Sequence, residues 1–428
     1  MKQLSAKIKR LTDTGFIHIF GASAMNQVLS FLSGIILVRV LTKPDYGVFS
    51  DALNTYQFFV IFSGAGIAVG ILQLCSEYCE QPDISDEIYA WSSSFGICVN
   101  VVLALVIFVS AWLIPFPIDG TSKLLAVFCG LPFFTLMYEM AVAKLRGELR
   151  AKAYSYANMV GTITYCGFSI AGALIGKSVG LIVGRYVAYI ATIFFIWKKF
   201  GVHQYFEFPK LNREIKKVLL KVSIVSLVNN GLTTLFNALE VFIIGVVIVD
   251  SSVTATYKVA STIPTALSFV PLAFAVYVYP YFAKHIGQAK WLKSNLLKSL
   301  GGLALINVII ALGLIVFSRP FIVIVFGEQY TDCLPIFRLL MISYLIGGTF
   351  RTLPGNLLVS QRKLAYNTVV SVIGCSISIL GNVILIPRMG SIGAAWSHFI
   401  VIIVTAIMNT GGLLYFIRKS NISDTSTP

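Results

Sequence analysis

Apolar stretches long enough to cross a bilayer follow one another along almost the whole chain, and they decide what it can fold into. A membrane helix needs about 20 mainly apolar residues. About twelve such segments occur, at roughly 15–41, 46–75, 88–114, 123–144, 154–176, 178–197, 219–249, 253–282, 296–317, 333–360, 364–386 and 391–417. In hydrocarbon each backbone N–H and C=O must be satisfied within the segment, so runs of this length fold as helices. Short connections make successive helices antiparallel. The chain is 57% hydrophobic and 12% charged. Soluble domains carry about 25% charged residues, which excludes a soluble globular protein.

The first segment follows the basic stretch MKQLSAKIKRLTDTG. Its charge is that of a signal peptide, but the apolar run is too long and no small-residue cleavage site closes it. It reads as a retained first membrane helix.

The longest polar interruption runs from Lys198 to Lys221, KKFGVHQYFEFPKLNREIKKVLLK. It sets Lys198, Lys199, Lys210, Arg213, Lys216, Lys217 and Lys221 against Glu207 and Glu214. Unpaired charges in hydrocarbon cost several kcal/mol each, so this stretch is a loop with an interfacial helix outside the bilayer. It lies near mid-chain. The expected organisation is a six-helix half over 1–197, a basic cytoplasmic connector over 198–221 and a second six-helix half over 222–428.

Lys and Arg collect on the cytoplasmic side of membrane proteins. With the N-terminus inside, that side holds about 23 of them and the other about nine. Both termini are therefore expected in the cytoplasm. The acidic loop from Glu77 to Glu87 runs against the trend, but acidic residues weigh little in this rule. The net charge of +15 sits in short loops between apolar runs, so it needs no nucleic-acid partner.

Sites of enzymatic chemistry are not evident. AGALIGKS at 171–178 fits a loose phosphate-loop pattern, but it ends an apolar span and lacks the strand such a loop follows. The seven Cys are scattered, and no His cluster accompanies Cys75 and Cys79. No metal or other cofactor is expected, and no catalysis. His18 and His398 fall within spans, where packing or proton carriage are both open.

Ionisable groups within or at the edges of spans are costly and point to function. They are Arg39, Asp51, Glu139, Arg185, Glu240, Lys258, Arg338 and Arg351. Glu139 and Arg338 fit interfacial caps or snorkelling side chains. Asn26, Gln27, Asn54, Gln57, Asn229, Asn230, Asn237 and Asn356 accompany the rest. Polar faces on the first, second and seventh helices suggest a water-filled central cavity; a structural ion-pair network is the alternative. Pro264, Pro271 and Pro280 fall in one span and predict a kinked or broken eighth helix.

Several stretches carry a resemblance: LVRVLTKPDYGVFSDAL at 37–53, AKLRGELRAKAYS at 143–155, ALEVFIIG at 238–245, IVFGEQY at 324–330 and GSIGAAWSHF at 390–399. In this order and spacing they resemble the polysaccharide flippases of the multidrug/oligosaccharidyl-lipid/polysaccharide exporter superfamily. The resemblance implies an all-α integral membrane protein of MATE-like fold, with twelve helices in two six-helix halves around a central cavity. It implies transfer of an undecaprenyl-diphosphate-linked oligosaccharide across the bacterial inner membrane, for O-antigen, capsule or exopolysaccharide synthesis. Partners expected with it are membrane lipid, a coupling H⁺ or Na⁺, and a polysaccharide polymerase; the chain is expected to be a monomer. Glu240 stands where the family commonly has an aspartate, and Arg39 matches a recurrent arginine.

On this reading the substrate site comprises Arg39, Asp51, Asn54, Asn230, Glu240, Lys258 and Arg351. The cations attract the diphosphate, the amides bind sugar hydroxyls, and Asp51 and Glu240 are the carboxylates available for ion coupling. The two halves are expected to repeat, with Tyr46 corresponding to Tyr257. A cation-coupled multidrug exporter of the same architecture is the competing reading. Its cavity would be dominated by carboxylates, whereas cations here match or outnumber them.

Overall fold

The computed structural model describes residues 16–203, 208–285, 287–361 and 363–424. Side chains are described from Met25 on, apart from those at 229–230, 232–233, 235–239, 276, 280, 283, 364 and 420–424. Lys2, Lys7, Lys9 and Arg10, and the side chains of His18, Asn229, Asn230 and Asn237, lie outside the described residues.

Among the described residues all regular structure is helical. The helices are α1 (Phe16–Val40), α2 (Lys43–Val60), α3 (Ile67–Glu77), α4 (Pro82–Leu113), α5 (Thr121–Phe128), α6 (Leu131–Gly147), α7 (Ala151–Phe200) and α8 (Arg213–Ile248). They continue as α9 (Ser251–Leu267), α10 (Phe269–Lys284), α11 (Ala289–Val316), α12 (Ser318–Val325), α13 (Leu334–Ile346), α14 (Leu353–Ser360), α15 (Leu364–Met389) and α16 (Ser391–Asp424). Of these, seven spans are long and apolar enough to cross a membrane, and up to nine if two bent pairs each count as one. The chain forms two compact units, Met1–Ala238 and Leu239–Pro428, with the boundary inside α8. Large apolar side chains such as Val102, Leu105, Ile175, Leu305 and Ile309 point outward, as a lipid solvent allows.

Four of the apolar segments are interrupted. In the first unit, α2 and α3 are bent by 48° across the turn Ser63–Gly66, and α5 and α6 by 41°. Gly64, Ala65 and Gly66 all have positive φ, so the right-handed helix cannot run on through this turn. The backbone groups freed at both bends need partners, and Asn100 of α4 supplies them. Its Oδ1 accepts the Gly64 amide at 2.6 Å. Its Nδ2 donates to Pro132 O at 2.7 Å and Ser63 Oγ at 3.0 Å.

In the second unit, α9 and α10 meet at Ser268, within the three-proline segment. Pro271 has no N–H to bond the Leu267 carbonyl one turn back, so the ladder fails there. A π turn over Gly347–Thr352 separates α13 from α14. Pro354 frees the Phe350 carbonyl in the same way, and the Thr410 hydroxyl of α16 donates to it at 2.7 Å. Asn409 Nδ2 donates to the next carbonyl, that of Arg351, at 3.1 Å. Asn307 of α11 pins this turn, donating to Thr349 Oγ1 at 3.0 Å and accepting from the Tyr344 hydroxyl at 2.9 Å.

Between helices in lipid, close backbone approach replaces the hydrophobic effect as the source of association. Helix α7 is two helices folded back at Gly176 and Lys177, the latter at φ 49°. A Cβ on Gly172 would stand 2.1 Å from Gly180 O, and one on Gly184 would stand 2.0 Å from Phe168 O. The loose phosphate-loop motif is this hairpin turn, with helix on both sides. Gly70 similarly admits Leu219 and Ser223 of α8.

The acidic 77–87 loop has a physical role. Asp86 pairs with Lys144, which also lies 3.6 Å from Glu148 and 4.6 Å from the Tyr89 ring centre. The Lys144 side chain is only 8% exposed and requires that compensation. The acidic loop and the basic 144–152 loop thus share one end of the unit.

Candidate functional site

A charged cluster is partly buried in the second unit. Glu240 lies about two turns before the end of α8. Its Oε2 accepts the Tyr257 hydroxyl at 2.8 Å, and its Oε1 lies 2.8 Å from His398 Nδ1. Tyr257, on α9, is 1% exposed. The Glu240 and His398 side chains are 14% and 30% exposed. The charges of Lys258, beside Tyr257, and of Arg351, in the π turn, both act on Glu240. Two basic side chains therefore share one carboxylate, and with both protonated the cluster is net positive even with His398 neutral.

Local sequence explains how the members are held. Asp250 caps α9 through its side chain, accepting the Ser252 amide at 2.8 Å, and so fixes where Tyr257 and Lys258 fall. The π turn offsets Arg351 from regular helical phase, and such turns recur at functional sites. Gly390, at φ 67°, ends α15 and aims α16 so that His398 arrives at Glu240.

The remaining expected site residues belong to the first unit. Asp51 of α2 is 5% exposed and accepts the Thr121 hydroxyl of α5 at 2.8 Å. Asn54 is 1% exposed, and its Nδ2 donates to the Ser50 carbonyl of its own helix. Arg39, in the last turn of α1, is exposed. The Asn230 side chain lies outside the described residues. The structure thus gathers Glu240, Lys258 and Arg351 in the second unit; Asp51 and Asn54 lie on α2 of the first. Glu139 and Arg338 are exposed, and Arg338 Nε donates to Ser318 Oγ at 2.9 Å.

Sequence reasoning left Tyr257 and His398 out of the site. His398 stands 158 residues from Glu240, so no local pattern joins them. The available signal was that ALEVFIIG and GSIGAAWSHF, two of the stretches carrying the resemblance, contain Glu240 and His398. Arg185 was also left out; it is 7% exposed and lies 5.1 Å from the ring centres of both Phe49 and Tyr165.

Comparison with known proteins places this geometry. The profile of a family described as "Polysaccharide biosynthesis protein" matches residues 36–335. An uncharacterized membrane protein in the cps region of Klebsiella pneumoniae is 25% identical over 382 residues, covering 84% of this chain and 73% of that protein. An inward-facing multidrug resistance MATE family transporter of the MOP superfamily superposes with a TM-score of 0.73 at 16% identity, over 94% of this chain and 96% of that one. The lipid II flippase MurJ, in an inward closed conformation, gives 0.72 at 14% identity, over 96% and 93%. These two structures establish the MATE-like fold of this multi-pass membrane protein.

Proposed function

The chain belongs to the polysaccharide biosynthesis protein family, and from that premise we propose that it flips a polyprenyl-diphosphate-linked oligosaccharide from the inner to the outer leaflet by alternating access. The substrate on this reading is undecaprenyl-diphosphate-linked, and its glycan is destined for O-antigen, capsule or exopolysaccharide. The chain resides in the inner membrane with both termini cytoplasmic, works as a monomer, and hands its product to a polysaccharide polymerase.

The observation that carries this reading is the sign of the charge around Glu240. Lys258 and Arg351 outnumber the one carboxylate they share. A surplus of partly buried positive charge suits a diphosphate and repels an organic cation. The MATE transporter likeness is one of fold and does not favour drug export. Arg351 offers two parallel donors to phosphate oxygens, which a lysine cannot. Glu240 holds the cations in place when no substrate is bound, and its exchange of partners offers a route for H⁺ or Na⁺ coupling.

The test is reconstitution of the full chain in vesicles carrying a fluorescent polyprenyl-diphosphate-linked oligosaccharide. Protein-dependent movement between leaflets is expected. Absence of that movement, with uptake of an organic cation under a Na⁺ or H⁺ gradient instead, would establish the exporter reading.

A further inference from the structure

The two units repeat one plan in detail, and the repeat exposes an asymmetry of charge. Asn100 and Asn307 are both fully buried and pin an interrupted helix in their own unit. The hairpin turns at Lys177 (φ 49°) and Gly390 (φ 67°) are each followed by Ser, then by Gly two residues later. Arg185 and His398 each stand eight residues beyond their turn. Each also lies near the tyrosine at the start of its unit's second helix. His398 and Tyr257 share Glu240, while the Arg185 charge acts on the Tyr46 hydroxyl.

In the second unit the group at this place is met by a carboxylate. In the first unit, no carboxylate among the described residues pairs with Arg185. Its guanidinium lies against the faces of Phe49 and Tyr165, and its Nε has no hydrogen-bond partner. Its charge also acts on the hydroxyls of Tyr56 and Tyr189. Aromatic faces offset only part of the cost of burying a charge. A buried guanidinium that no carboxylate meets, with its Nε unsatisfied, has the donors and the sign to receive an anion with several oxygens.

We propose that Arg185 forms a phosphate-binding subsite of the first unit that receives the diphosphate of the lipid-linked substrate. This rests on the flippase reading above and names a residue that reading did not use. The guanidinium supplies a two-toothed grip on the phosphate oxygens.

The test uses the full-length protein in nanodiscs of phosphatidylcholine, titrated with inorganic pyrophosphate and with geranylgeranyl diphosphate. Arg185→Lys keeps the charge and loses the fork; binding of both probes is expected to weaken about tenfold. Arg185→Met is expected to weaken it further, the remaining binding being that of Lys258 and Arg351, and thermal unfolding of each variant shows whether it is folded. Unchanged binding in folded Arg185→Lys and Arg185→Met overturns the subsite. Displacement of both probes by added phosphatidylglycerol assigns the site to a membrane phospholipid and overturns its role toward substrate. The flipping assay with wild-type protein is a separate arm. Arg185-dependent binding without flipping sinks the flippase reading and leaves the anion site. Flipping at wild-type rate by Arg185→Met sinks the subsite and leaves the flippase reading.

Discussion

His398 Nδ1 stands 2.8 Å from Glu240 Oε1, a contact made across 158 residues of chain. Glu240 is thereby bonded on both oxygens, to His398 and to Tyr257, while two cations act on it from outside those bonds. Removing its charge leaves Lys258 and Arg351 without their shared counter-ion. Breaking a buried charge arrangement from one side costs about 3 kcal/mol. Glu240→Gln is therefore expected to lower thermal stability and to cut flipping at least about tenfold. His398→Gln alone is expected to be milder, and the double variant less damaging than the two effects summed. Additive losses would show that the two residues act independently.

Asn100 satisfies Gly64 and Pro132 at once, so its loss orphans a donor and an acceptor in two different bends. Each unsatisfied buried group costs about 1–3 kcal/mol. Asn100→Leu is expected to destabilise the protein by about 2–5 kcal/mol. Asn100→Asp keeps the acceptor for Gly64, loses the donor to Pro132, and falls between. Thermal unfolding in detergent measures the order, and equal losses for Leu and Asp would contradict this account.

The Thr410 hydroxyl bonds a carbonyl that is free only because Pro354 lacks an N–H. Thr410→Val is expected to cost about 1–2 kcal/mol in the wild-type background. In a Pro354→Ala background, where the helix can bond its own carbonyl, the same substitution is expected to cost nearly nothing. A full cost in both backgrounds would mean that Thr410 stabilises the π turn in some other way.

Gly172 and Gly180 touch backbone to backbone inside the α7 hairpin, whereas Gly167 on the same helix faces open space. Gly172→Val forces the two arms apart and is expected to reduce folded protein recovered from membranes several-fold. Gly167→Val meets nothing within 4 Å and is expected to be tolerated. Equal recovery of the two variants would show that close approach at Gly172 is dispensable.

Much of this protein was legible in its residues alone. Runs of about 20 apolar residues can only become helices in lipid, because no solvent there can satisfy an exposed backbone. Their positions and the all-helical fold follow from that one constraint, and the interruption near Pro271 from the amide hydrogen that proline lacks. The expensive groups Glu240, Lys258 and Arg351 also announced themselves, since a charge within an apolar run needs a reason.

The tertiary structure decided which of those groups meet. Period and composition describe one helix at a time, and the partners of Glu240 come from α9, α16 and the π turn. Nothing in GSIGAAWSHF says that its histidine reaches a glutamate 158 residues earlier. The bend at Ser63–Gly66 was hidden for a similar reason. A turn inside a membrane span survives only if a distant side chain satisfies it, and that side chain is Asn100.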